Sequence, residues 1–119
     1  MKSVIIILMF ACQFLLAQED GYQIIVDEVP APVGGYEEIA KQLTYPPMAV
    51  QLKTEGKVYL LLYINEKGSV DDVKVVKGIG AGCDEAAQQA VKKVKFTPGK
   101  LKGQSVKTKL TIPITFKLN

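Results

Sequence analysis

The 119-residue chain contains no histidine. That absence removes the commonest general base, the commonest metal ligand and every Ser-His or Cys-His nucleophile pair. Cysteine is nearly as scarce, with only Cys12 and Cys83. No apolar run reaches the ~20 residues that a membrane-spanning helix needs, because the one candidate, Val4 to Leu16, is interrupted by Gln13. Repeats and low-complexity tracts are missing as well. So is acid from the last part of the chain: Gln18 to Glu85 holds twelve acids against six lysines, and Ala86 to Asn119 holds eight lysines and no acid. With no phosphate-binding loop, no metal cluster and no nucleophile beside a base, the sequence reads as a non-enzyme and calls for no cofactor and no metal.

What is present begins with a segment that reads as an export signal. Met1 to Ala17 has one early lysine, a short apolar stretch and a small residue before Gln18-Glu19-Asp20, which is the layout of a cleaved signal peptide. Two other readings of this segment are a retained membrane anchor and lipidation at Cys12. Cleavage after Ala17 leaves Cys83 as the single thiol, so no intramolecular disulfide is available in an oxidising compartment. Followed by Asp84 and an alanine-rich stretch, Cys83 reads as a small buried hydrophobe. In an exported protein the lysine-rich end points to acidic protein segments, anionic lipid heads or cell-wall polymer rather than nucleic acid, or is simply a solvated face.

Residues 18–34 read as an extended arm. Tyr22 to Val26 is a short apolar piece, and Pro30, Pro32 and Gly34-Gly35 exclude a helix after it. The domain proper spans 35–119. Tyr36 to Leu43 suits a short helix with Ile39, Ala40 and Leu43 on one face and Glu37 and Glu38 in the favourable first turn. Pro46 and Pro47 open a second, and Gly56 marks its stop. Lys57 to Ile64 alternates as a strand, with Val58, Leu60, Leu62 and Ile64 on one face and Tyr59, Leu61 and Tyr63 on the other. Asn65 to Gly68 is a hairpin turn, and a return strand covers Ser69 to Lys77 with Val73 and Val75 inward.

Asp71-Asp72 invites a metal or acid/base reading. Adjacent strand residues face opposite ways, and no other acid or histidine is placed to join them, so a β-bulge is expected instead. Asp84 is the expected cap of a helix carrying Ala87, Ala90, Val91 and Val94 at i, i+3, i+4 and i+7. Lys100 to Ser105 reads as a loop.

The last stretch, Val106 to Leu118, alternates strictly. Val106, Leu110, Ile112, Ile114, Phe116 and Leu118 fall on one side; Lys107, Lys109, Thr111, Thr115 and Lys117 fall on the other. Pro113 interrupts it, and a proline removes a ladder donor, which confines it to an edge strand, a strand start or a bulge. The expected fold is α+β: two layers, with a three-stranded antiparallel sheet built from a hairpin, a crossing helix and a third strand, plus a short N-terminal helical segment.

Several of these stretches together resemble a known family. They are Pro32-Val33-Gly34-Gly35-Tyr36-Glu37, Tyr45-Pro46 with Ala49, Glu55-Gly56-Lys57-Val58, Lys67-Gly68-Ser69-Val70, Asp84-Glu85-Ala86-Ala87, Lys95-Phe96-Thr97-Pro98-Gly99 and Ile112-Pro113-Ile114-Thr115-Phe116. In this order and spacing they resemble the TonB C-terminal domain, in a form similar to that of the Bacteroidetes branch. The resemblance implies a periplasmic module engaging outer-membrane active transporters, whose N-terminal segment adds as a strand beside the domain's last strand. The residues it points to are Lys107, Lys109, Thr111, Ile112 and Pro113, with Tyr59, Leu61 and Tyr63 as a second patch that either the arm covers or a partner does. Full-length transducers add a spanning helix and a long proline-rich linker, and neither is read here. The expectation is a receptor-facing module without its own power supply. A second reading is a structural or assembly role, as a homodimer or a wall-associated domain.

Overall fold

A computed structural model describes residues 20–119. The expected signal peptide and Cys12 lie outside the described residues. The elements are α1 (Glu37–Gln42), α2 (Pro47–Leu52), β1 (Gly56–Ile64), β2 (Val70–Lys77), α3 (Cys83–Lys92), β3 (Gly99–Leu101), β4 (Gln104–Val106) and β5 (Thr108–Phe116). Three of the strands form one antiparallel sheet in the order β2-β1-β5, and β3 and β4 form a separate two-stranded ribbon. This is the α+β architecture expected. No helix among the described residues is long and apolar enough to cross a membrane.

The core follows from alternation on the central strand. Val58, Leu60, Leu62 and Ile64 are fully buried, and each is worth roughly 1.5–3 kcal/mol against exposure. They meet Ile112, Ile114 and Phe116 of β5 and the apolar stripe of α3, formed by Cys83, Ala87, Ala90 and Val91. Cys83 is fully buried, as its context predicted, and burial pushes its thiol above the usual range. Tyr45 closes one end, its ring edge-on to Phe116 at 5.4 Å and its hydroxyl donating to the Thr54 carbonyl.

The β1–β2 turn is built as its residues require. Asn65 Oδ1 accepts from the amides of Lys67 (2.9 Å) and Ser69 (3.1 Å), and Gly68 takes φ +85°. Ile64 pairs with Val70 but Tyr63 pairs with Asp72, so Asp71 is the extra residue of the expected bulge. A second shift, from Tyr59↔Lys77 to Leu60↔Val75, leaves Val76 unmatched. Val73 is buried, whereas Val75, expected inward, remains 38% exposed beside the second register shift.

Two local expectations are corrected. Asp84 does not cap α3: the N-cap is Gly82 in a left-handed conformation without a side-chain bond. The Asp84 carboxylate instead accepts from the amides of Ile79 (2.9 Å) and Gly80 (3.3 Å), bracing the loop before the helix. The final stretch is not one strand of thirteen residues. Gln104–Val106 folds back on Gly99–Leu101 through Lys102 (φ +52°) and Gly103 (φ +79°), the two left-handed residues of a tight hairpin turn. What was read as a loop is this ribbon, and β5 begins only at Thr108. Thr108 itself points inward, 1% exposed, with its hydroxyl donating to the Val106 carbonyl at 3.1 Å.

The turn and the segment after α3 are locked together. Phe96 N–H donates to Gly68 O at 2.9 Å, and a Cβ added at Gly68 would land on the Phe96 carbonyl oxygen. Gly68→Ala should therefore cost more than about 2 kcal/mol, combining backbone strain with a clash that neither element can relieve. Urea unfolding curves of the two proteins, compared at equal slope, check this.

Candidate docking edge

β1 is paired on both sides, so each outer strand of the sheet exposes one edge. The two edges differ. β2 carries both register shifts, and bulges twist an edge away from further pairing. β5 pairs with β1 without a shift from Gly56↔Phe116 to Ile64↔Thr108, so its far edge is straight.

The direction of each amide on β5 is fixed by one observation. Lys109 N–H donates to Gln23 O at 2.9 Å, and Lys107 O accepts from Gln23 N–H at 2.7 Å, on the side away from β1. Backbone groups alternate along a strand, so Thr111, Pro113 and Thr115 face the same outer edge. Pro113 thus lacks a donor where β1 does not need one. Among the described residues, no backbone partner meets the outward amides of Thr111 and Thr115.

Of the five residues singled out from Lys107 to Pro113, four belong to this edge and one does not. Ile112 is 2% exposed with its side chain in the core, and it alternates toward β1, opposite Leu60. The lysine end is held by the chain itself. Gln23 forms a parallel bridge to Thr108, which engages Lys107 and Lys109 through their backbones. Asp20 Oδ2 sits 2.5 Å from Lys109 Nζ. The Pro113 end opens beside a groove of about 180 Å³ between β5 and α1, lined by Tyr36, Ile39, Ala40, Leu43, Pro113 and Ile114.

The outer face of the sheet carries Tyr59, Leu61 and Tyr63, as alternation demands. Of these the arm meets Tyr63, and Tyr59 stays 36% exposed. Tyr22 stands edge-on to Tyr63 at 5.1 Å and donates its hydroxyl to Asp71 Oδ2 at 3.2 Å. The ammonium groups of Lys74 and Lys109 lie 5.2 and 5.5 Å from the Tyr63 ring centre, within cation–π range. Ile24 and Ile25 cover nothing, at 75% and 85% exposed, because the chain bends there to reach the β3–β4 ribbon. It then runs antiparallel to 95–102, with Asp27 and Glu28 amides on Lys100 O and Val33 N–H on Lys95 O. Pro30 and Pro32 face inward on this run.

Sequence reasoning missed Asp20 and Gln23 as edge partners and Asp71 as the acceptor for Tyr22. The available signal was the apolar piece Tyr22 to Val26, which has strand composition but no mark of its register.

Fold and edge together define a two-layer α+β domain that presents one open, unbulged strand edge. Residues 41–118 match the family described as Gram-negative bacterial TonB protein C-terminal, and the chain belongs to that family. It is 33% identical over 76 residues to Protein TonB of Xanthomonas campestris pv. campestris (strain B100), covering 63% of this chain and 34% of that protein. Protein tonB2 of Pseudomonas aeruginosa is 36% identical over 76 residues, covering 63% and 28%. The match thus spans about a third of these relatives' length. Among solved structures, the Helicobacter pylori TonB-CTD superimposes with a TM-score of 0.55 at 32% identity, covering 68% of this chain and 86% of that one. The Pseudomonas aeruginosa TonB CTD gives 0.52 at 32% identity, covering 65% and 79%.

The arm's hold is pH-dependent in a defined sense. The hydrogen bond from Lys109 Nζ, and after it the Tyr22 amide, hold the Asp20 carboxyl below the ordinary range; the same contact with Asp20 pushes Lys109 up. A lowered folded-state pKa gives stabilisation that is complete above the ordinary carboxylate value and is lost as pH falls through the lowered one. Raising Lys109 moves the alkaline loss beyond its usual range, so the pair is intact across neutral pH. Acid titration followed through the Tyr22 and Tyr63 ring protons should show the arm loosening only on the acid side, and Asp20→Asn should remove that transition.

Proposed function

We propose that the chain is a periplasmic protein-binding module, exported behind a cleaved signal peptide, in which the 35–119 domain takes an extended segment of an outer-membrane active transporter. The segment adds as a strand to the outer edge of β5. One observation carries this reading: a straight edge on which, among the described residues, the Thr111 and Thr115 amides have no backbone partner, with Pro113 in phase with them. Backbone bonds along such an edge supply affinity, and alternate side chains supply specificity. Membership in the TonB C-terminal family supports the choice of partner, since the relatives of this domain are TonB proteins. The lysines at the start of β5 favour an acidic residue in the incoming segment, and the groove beside Pro113 favours an apolar one.

The chain's part in transport is to hold the transporter segment. The same edge could pair with a second copy, and sedimentation equilibrium across the working concentration range separates that outcome, which would make the domain a self-associating structural unit.

Calorimetric titration with N-terminal segments of outer-membrane transporters should give micromolar binding. No heat from any of them at high micromolar concentration would overturn the reading. Thr111→Pro removes one outward donor and no ladder bond to β1. It should weaken binding roughly tenfold while leaving the melting temperature nearly unchanged.

A further inference from the structure

The docking edge is partly occupied in cis, and the occupant makes more than backbone contacts. Asp20, Tyr22 and Gln23 of the arm engage Lys107, Lys109, Tyr63 and Asp71. Gln23 supplies the two-bond parallel bridge at Lys107 and Lys109. Two residues earlier, Gly21 takes φ +85°, and Asp20 turns back so that its Oδ1 accepts from Tyr22 N–H at 3.0 Å while Oδ2 meets Lys109 Nζ. Tyr22 fills the remaining space. Its ring edge rests on Tyr63, its hydroxyl reaches Asp71, and Lys107 Nζ lies 5.6 Å from its ring centre. Asp71 is available there because the bulge turns it toward the outer face, and Asn65 Nδ2 at 2.8 Å fixes it. The contact ends after a single bridge, where Ile24 and Ile25 swing into solvent.

We propose that Asp20–Gln23 is a resident occupant of the docking edge, and that the subsite it fills selects incoming strands, running parallel to β5, that carry a carboxylate two residues before a tyrosine. This rests on the strand-addition reading above and adds to it a register, a direction and a side-chain pattern. The carboxylate pairs with Lys109. The tyrosine ring packs between Tyr63 and Lys107, and its hydroxyl has Asp71 as acceptor. Such a strand competes with the arm, because both need Lys107 O and Lys109 N–H. An incoming segment lacking the pattern has only the edge from Thr111 onward and leaves the arm in place. A single bridge is weak on its own, but tethering keeps the arm at high effective concentration, so it lowers the apparent affinity for visitors rather than abolishing it.

The test uses the whole chain and, as probe, a fluorescein-labelled peptide with the arm's own sequence, Asp20 to Asp27. Binding is compared by fluorescence anisotropy for the unaltered protein and for the double variant Asp20→Asn, Tyr22→Ala. Both changed side chains lie outside the core, and melting curves confirm the fold. The peptide should bind the double variant about five- to tenfold more tightly than the unaltered protein. Adding Lys109→Ala should remove that gain, and a peptide with serine and alanine in place of its first Asp and its Tyr should show none. Amide shifts on binding should fall on Lys107, Lys109 and Tyr63. Equal affinity for both proteins, equal binding of the altered peptide, or shifts elsewhere would each overturn the proposal. Transporter segments in the same series separate this inference from the function beneath it. If they bind at the edge with an affinity indifferent to the arm substitutions and to their own acid and tyrosine, the occupant proposal fails and strand addition stands. If they bind neither protein, strand addition fails and takes the inference with it.

Discussion

A small antiparallel sheet cannot pair every strand on both sides, and which strand takes the centre decides what the others must expose. Here β1 takes it. Its eight-residue alternation buries four aliphatic side chains completely against α3, and neither neighbour offers so continuous an apolar face. With β1 fixed, β2 and β5 become edges, and α3 must cross the sheet to bring β5 in antiparallel. The packing of one strand thus determines where the molecule can be approached through its backbone.

The two edges are protected by different means. β2 uses shape: two unmatched residues, Asp71 and Val76, interrupt any regular ladder. β5 keeps a regular ladder and uses chemistry instead, with lysines at one end, a missing donor at Pro113 and an arm bridged across the start. Bulging closes an edge permanently, whereas a bridge of two hydrogen bonds and an exposed ion pair is reversible. This contrast, more than any single residue, is why β5 is the edge read as functional.

Much of this was legible from local pattern because the pattern was strict. The faces of β1 and β5 follow from period two, the turn from Asn65 and Gly68, the bulge from two adjacent aspartates inside an apolar alternation, and the outer edge from Pro113. What was not legible involved residues with two equally good local uses. Asp84 can cap a helix or brace the loop before it, and only the left-handed Gly82 decides between them. Val106 continues the alternation of β5, but the left-handed pair Lys102-Gly103 turns Gln104–Val106 back on Gly99–Leu101. Ile112 belongs to the edge strand in sequence, yet its side chain and backbone both face inward. The arm's register depended on contacts more than forty residues away, between Tyr22 and Asp71, which no local periodicity encodes.

Pro113 has a mechanical consequence as well as a chemical one. A strand lying along β5 and pulled along its own axis loads its hydrogen bonds together, in shear. The gap opposite Pro113 divides that ladder into a section toward Lys109 and a shorter one toward Thr115. Load is then shared within each section and not across the gap. A joint of the proposed kind would then yield in two steps, the first leaving the partner attached by the other section.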